Sequence, residues 1–226
     1  DGVIVLNASG NVVGASTPGV GIYNIISGND QNGVLITGTL SSGNQVIFNT
    51  IGLNQAGNSA LGNSLSGVRI VNAPNNIVGG IWGTTGNLIS SNLQQGVYIS
   101  GSSATGNTVK GNRIGADING SAYLGNTGDG VLIENAANNT VGGTTGVTLG
   151  GACSGECNLI SGLNKDGVTL RGSGATGNIV QSNIIGLNLS GVSARRNALH
   201  GVLVDGAPGN TIGGAAAAAR NIISAN

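Results

Sequence analysis

One short pattern recurs seven times along the chain: a Gly-Val pair with a second aliphatic two residues on, then Asn-x-(Val/Ile), then Asn-x-Ile. The Gly-Val pairs begin at Gly2, Gly33, Gly67, Gly96, Gly130, Gly167 and Gly201, 29 to 37 residues apart. The second element starts at Asn11, Asn44, Asn76, Asn107, Asn139, Asn178 and Asn210, the third at Asn24, Asn49, Asn87, Asn112, Asn158, Asn183 and Asn221. A repeat of this length is one structural unit that cannot bury its own apolar face and must stack on its neighbours. Three short apolar runs in fixed order, each too short for a helix and rich in β-branched residues, read as three strands per unit.

The solution that pairs every strand with its equivalent above and below is a parallel β-helix, all-β, of seven rungs with coils of about 32 residues. A right hand is expected from the preference of parallel crossovers. Val3, Val34, Val68, Val97, Val131, Val168 and Val202 are expected to form one inward column, with Val5, Ile36, Ile70, Ile99, Ile133, Leu170 and Val204 beside it. Asn is poor inside strands, so its return at fourteen matched positions marks corners, where it tolerates left-handed backbone angles and can stack as an amide ladder. Gly is expected at the same corners for positive φ.

The coils alternate. In one type the second and third elements nearly fuse, as from Asn107 to Ile114, and a long loop follows; in the other the second element ends in Gly-Gly (Gly79-Gly80, Gly142-Gly143, Gly213-Gly214) and a loop separates it from the third. The larger unit is two coils: 63 residues from Asn24 to Asn87 and from Asn158 to Asn221, but 71 from Asn87 to Asn158, with the surplus around Val147 to Cys157.

Composition narrows the classes further. The chain carries 44 Gly, only 7% charged residues and no net charge, against roughly 25% charge in an average globular domain. Pro numbers 3 and Gly has no triplet period, which excludes collagen. Neutral charge with scattered Lys and Arg argues against a nucleic-acid partner, and no stretch approaches the roughly 20 apolar residues of a membrane span. The whole chain, 1–226, reads as a single solenoid domain.

The stretches NLISSNLQQGVYISGSSATGNTVKGNRIG and GNTGDGVLIENAANNTVGG resemble the right-handed parallel β-helix repeat proteins of bacteria, a class that also includes pectate lyases, alginate epimerases and large secreted surface proteins. The resemblance runs the length of the chain. It implies the fold; the shared motifs are scaffold and imply no activity.

Chemistry-bearing residues are few. The acids are Asp1, Asp30, Asp117, Asp129, Asp166, Asp205, Glu134 and Glu156, with no Asp-Asp pair, no Asp-Pro-His-Glu run and no calcium-type Gly-Gly-x-Gly-x-Asp repeat. Stacking could still assemble a site. The residue before each Gly-Val gives the column Asp1, Asn32, Ser66, Gln95, Asp129, Asp166, His200, whose last three members fall on consecutive rungs about 4.8 Å apart. Asp129, Asp166 and His200 are thus the one catalytic candidate; the competing reading, preferred here, is a solvated column of turn formers. Glu134, Arg171 and Asp205 alternate in sign on neighbouring rungs and are expected to form an exposed ion-pair ladder. The outward strip Ile4, Leu35, Arg69, Tyr98, Leu132, Thr169, Leu203 is apolar enough for lateral contact with another chain through Leu35, Tyr98, Leu132 and Leu203, or for cover by a loop. Cys153 and Cys157 with one distant His cannot complete a zinc site, so a local disulfide in an extracellular or cell-surface compartment is expected; two free thiols are the other reading, since three intervening residues are a short gap for disulfide geometry. Trp82, in a loop, could stack on a sugar; local packing is its other reading. No metal or cofactor is expected.

The expected function is a non-catalytic solenoid of a secreted or cell-surface protein: stalk, adhesin shaft or filament subunit. The alternative is a carbohydrate-active β-helix, enzyme or glycan-binding module. Asp1-Gly2-Val3 enters on a strand and Asn221 to Asn226 leaves just after one, so more repeats or further copies of the chain are expected at both ends.

Overall fold

Three elements per repeat become three strands per rung. The computed structural model describes residues 1–15, 23–120, 122–147 and 151–226. The first sheet holds Val3–Leu6, Val34–Thr37, Val68–Val71, Val97–Ser100, Val131–Glu134, Val168–Arg171 and Val202–Asp205. The second holds Val12–Gly14, Gln45–Ile47, Ile77–Gly79, Thr108–Lys110, Thr140–Gly142, Ile179–Gln181 and Thr211–Ile212. The third holds Asn24–Ile26, Asn49–Ile51, Leu88–Ile89, Arg113–Ile114, Asn158–Ile160, Asn183–Ile185 and Ile222–Ile223. Each sheet has seven strands, and every strand but the first and last lies between its equivalents from the rungs before and after. Pairing is parallel throughout: Val97 faces Val68 on one side and Val131 on the other. This is a parallel β-helix in the register that the Gly-Val pairs set.

The inward columns of the three sheets merge into one core. Val34, Val68, Val97, Val131 and Val168 are fully buried, as are Ile36, Ile70, Ile99, Ile133 and Leu170. β-Branched side chains suit such columns because their restricted χ1 matches the pleated surface.

The Asn residues stack as ladders. Along the third sheet, Asn24 Nδ2 donates to Asn49 Oδ1 at 3.0 Å, Asn49 to Asn87 at 3.1 Å, Asn87 to Asn112 at 2.9 Å, Asn112 to Asn158 at 3.1 Å, and both Asn158 to Asn183 and Asn183 to Asn221 at 2.9 Å. A second ladder runs from Asn11 through Asn44, Asn76, Asn107 and Asn139 to Asn178. A third, not anticipated from the sequence, lies four residues before the Gly-Val pairs: Asn29 to Asn63, Asn63 to Asn92 and Asn92 to Asn126 at 2.7, 2.8 and 2.9 Å, resuming from Asn197 to Asn226 at 2.7 Å. Leu163 interrupts it and joins the core instead.

The Gly of each Gly-Val pair is there for space. A Cβ on Gly33 would sit 2.6 Å from the Gly67 carbonyl oxygen and 2.8 Å from Ile51 Cγ2, and the same clash recurs at Gly96 with Gly130. Positive φ is used elsewhere, as at Gly52 and Gly115 just after the third strand.

Alternation of coil type builds two walls. In rungs three, five and seven a loop separates the second and third strands; in rungs two, four and six a loop follows the third strand and is closed by an antiparallel bridge, Leu53 to Ala60, Ala116 to Tyr123 and Leu187 to Ala194. Among the described residues, the loops of rungs three to six pack over the outer face of the third sheet. Between them lies a second apolar cluster of Ala116, Val147, Cys153, Cys157, Leu159, Ile184 and Leu187.

On the first sheet, Arg171 lies 4.0 Å from Glu134 and 3.6 Å from Asp205, so the alternating charges do meet across rungs. The outward apolar strip is not continuous. Leu132 is 3% exposed and Thr169 is fully buried, whereas Leu35, Tyr98 and Leu203 are half-buried. The Tyr98 hydroxyl bonds to the Glu134 carboxylate on the next rung, which carries its ring across the position of Leu132. Leu132 is therefore withdrawn from any lateral contact.

Candidate functional site

Asp129, Asp166 and His200 do come together, each two residues before the start of a first-sheet strand. The backbone N–H of Asp166 donates to Asp129 Oδ1 at 3.2 Å, and that of His200 donates to Asp166 Oδ1 at 2.8 Å. His200 Nδ1 lies 2.8 Å from the same Asp166 oxygen. Asn32 uses Asp1 in the same way at the first rung, with its N–H 3.0 Å from Asp1 Oδ1.

Asp129 and Asp166 are buried and not solvated, which corrects the expectation from the sequence. Asp129 is 3% and Asp166 4% exposed, because each carboxylate turns along the solenoid axis to take an N–H of the next rung. The His200 side chain, at 61% exposure, is the open member. Burial pushes the Asp129 carboxyl above the usual carboxylate range and the Asp166 charge adds to this, while the Asp166 N–H, Lys165 and Arg171 oppose it. A raised carboxyl beside a second one is the electronic arrangement of an acid/base pair. Access is what it lacks: neither carboxylate reaches a surface where a glycosidic bond could lie.

A different set of residues lines an open groove of about 240 Å³ over the outer face of the third sheet. Thr50, Leu88 and Arg113, from rungs two, three and four, form its floor; Trp82, from the loop of rung three, and Ile118, from that of rung four, border it. Tyr23 and Phe48 close the near end, their rings 6.0 Å apart and edge to face. The Arg113 guanidinium lies 5.0 Å from the centre of the Trp82 ring and donates to the Ile118 carbonyl. Burial lowers the Arg113 pKa, and the Asp117 charge opposes that shift.

Phe48 holds its backbone at φ +55°, the one bulky side chain among the described non-glycine residues in that region. The fused corner of the even rungs requires this conformation: Gly111 and Ser182 occupy the same place at φ +69° and +55°. A residue like Phe there costs on the order of 1–3 kcal/mol.

Beyond the groove, the insertion of rung five packs down on the third sheet. Cys153 and Cys157 are joined as a disulfide, Cα atoms 5.5 Å apart. The Gly155 carbonyl accepts the Trp82 N–H at 2.7 Å, and Glu156 pairs with Lys110 at 2.8 Å. The insertion thus covers the outer side of Leu159 and Ile184; its residues 148–150 lie outside the described ones.

No protein-family model matches the chain, and no curated protein sequence matches it. Among solved structures, the chain is similar to a mutant of the periplasmic alginate epimerase AlgG, with a TM-score of 0.47 and 15% identity. The similarity covers 92% of this chain and 42% of the epimerase chain, so this chain spans less than half of that protein. A likeness at that level says nothing of activity. Among the described residues there is no cluster of three or more His, Cys, Asp or Glu side chains that could hold a metal ion.

Sequence reasoning picked out Trp82 singly and missed its companions. The signal available was the scarcity of aromatics: the chain has one Trp, three Tyr and one Phe.

Proposed function

We propose that this chain is a non-catalytic β-solenoid of a secreted or cell-surface protein, acting as a rigid spacer. The observation that carries the reading is the use of Asp129 and Asp166. Both carboxylates are buried and occupied by backbone N–H groups, so the one acid pair that stacking creates serves the scaffold. Continuous side-chain ladders and sheets along the axis are what a stiff rod requires. A disulfide suits an oxidising compartment, and no helix of the described residues is long and apolar enough to cross a membrane.

Such a spacer would join further repeats or further copies at its ends. Val204, Ile212 and Ile223 of the last rung are exposed although their equivalents Ile99, Val109 and Ile114 in the fourth rung are fully buried, so stacking would bury them. The test is incubation of the protein, with Asp129→Asn and Asp166→Asn variants alongside, against a panel of neutral and acidic polysaccharides. No new reducing ends, no unsaturated sugars and no epimerised units are expected from any of them. Turnover by the parent that falls about a hundredfold in either variant would overturn the proposal.

A further inference from the structure

We propose that the groove over the third sheet is a binding subsite for an acidic glycan, taking one pyranose ring that bears a carboxylate. Three of the chain's five aromatic residues, Tyr23, Phe48 and Trp82, meet there although 226 residues were available to scatter them. Aromatic faces, which carry the negative side of the ring quadrupole, stack on the C–H surfaces of sugar rings.

Phe48 supplies a second, independent observation. The corner it occupies needs positive φ, and the sister rungs meet that need with Gly111 and Ser182. Nothing in the fold calls for an aromatic ring in that backbone conformation; strain kept at one copy of a repeated corner points to a task for the side chain.

Charge selects the anion. Arg113 is the one charged residue among those lining the groove. Trp82 supports its guanidinium plane and the Ile118 carbonyl takes one N–H, which leaves a fixed, partly desolvated fork of the kind that pairs with a carboxylate. The charge of Asp117 also acts on Arg113, from a carboxylate buried in its own loop with Oδ1 accepting the Ala122 N–H at 2.9 Å. Size fixes how much ligand enters: about 240 Å³ is below the roughly 300 Å³ at which pockets enclose a whole drug-sized molecule, so the groove takes one residue of a longer chain. The site sits on a scaffold that need not cleave what it holds.

Trp82 is the only tryptophan, so its fluorescence reports directly on the groove. The probes are tetramers of galacturonate, mannuronate and glucuronate, with cellotetraose as the neutral control and poly-glutamate as the acidic peptide control. A saturable change is expected with at least one uronate tetramer, with at least about tenfold weaker binding of cellotetraose and poly-glutamate. Arg113→Gln is expected to weaken that binding about tenfold or more, and Phe48→Gly likewise. The second variant installs the residue that rung four already has at this corner, so it keeps the fold, which circular dichroism verifies. The proposal is overturned if no uronate gives a saturable signal, if cellotetraose or poly-glutamate binds as well, or if both variants bind like the parent. Binding without bond cleavage leaves the spacer reading intact, whereas cleavage would sink that reading and not this one.

Discussion

Asn112 shows how much one buried side chain carries in this solenoid. Its Nδ2 donates to the carbonyls of Val78 and Lys110 at 2.9 and 3.0 Å and to Asn158 Oδ1 at 3.1 Å, while its Oδ1 accepts the Asn87 N–H and Nδ2 at 3.0 and 2.9 Å. Asn112→Ala would strand several of these buried groups. A loss of roughly 3 kcal/mol or more is expected in denaturant unfolding, against about 0.5 kcal/mol or less for Asn58→Ala in an exposed loop. Asp129 gives the opposite sign. Its folded pKa is raised, so the folded state holds a proton that the unfolded state releases, and stability falls as pH rises from the unfolded pKa through the folded one. Asp129→Asn keeps an oxygen for the Asp166 N–H and removes the buried charge. The variant should melt higher than the parent at neutral pH and at the same temperature below about pH 4, as thermal scans across pH would show.

Among the elements, the rung-five insertion is the one whose conformation depends on a covalent link. A five-residue disulfide loop contributes at most about 2 kcal/mol by restricting the unfolded chain. Its larger effect is local, because the Gly155 carbonyl that anchors Trp82 and the cover over Leu159 and Ile184 both belong to this loop. In a Cys153→Ala, Cys157→Ala protein, hydrogen exchange at the Trp82 amide should speed up markedly while first-sheet amides such as that of Ile99 keep their protection. Equal loosening of both would mean that the insertion is integral to the rod and not a layer upon it.

As a whole, the molecule is a stack of seven rungs about 30 Å long, and the strands of each rung pair only with those of its neighbours. Burial therefore depends on rung number. Ile99 in the fourth rung is fully buried, while Val204, its equivalent in the seventh and last rung, is 46% exposed. Ile99→Ala should cost about 2–5 kcal/mol in this chain and Val204→Ala less than about 1 kcal/mol, measured by equilibrium unfolding. If assembly at the ends buries Val204, the second value should rise with protein concentration, and sedimentation should show the larger species.

Strand order, register, the inward columns and two of the three Asn ladders follow from the sequence alone, because parallel stacking places equivalent residues side by side and a repeat makes equivalence visible. The charges of Glu134, Arg171 and Asp205 were legible for the same reason. The third ladder was present in Asn29, Asn63, Asn92, Asn126 and Asn197 but obscured by Leu163 at the matching place. Tertiary structure alone decided which way side chains turn once they reach a corner. It buried Asp129 and Asp166 along the axis and drew Tyr98 across Leu132, since these depend on a hydrogen-bond partner one rung away and not on the position in the repeat. It also decided the groove. Tyr23, Phe48, Trp82 and Arg113 come from four successive rungs and non-equivalent positions, and they meet only because loops of unequal length fold over one sheet. Backbone pairing is periodic and can be read from a periodic sequence; the packing of unique loops is not.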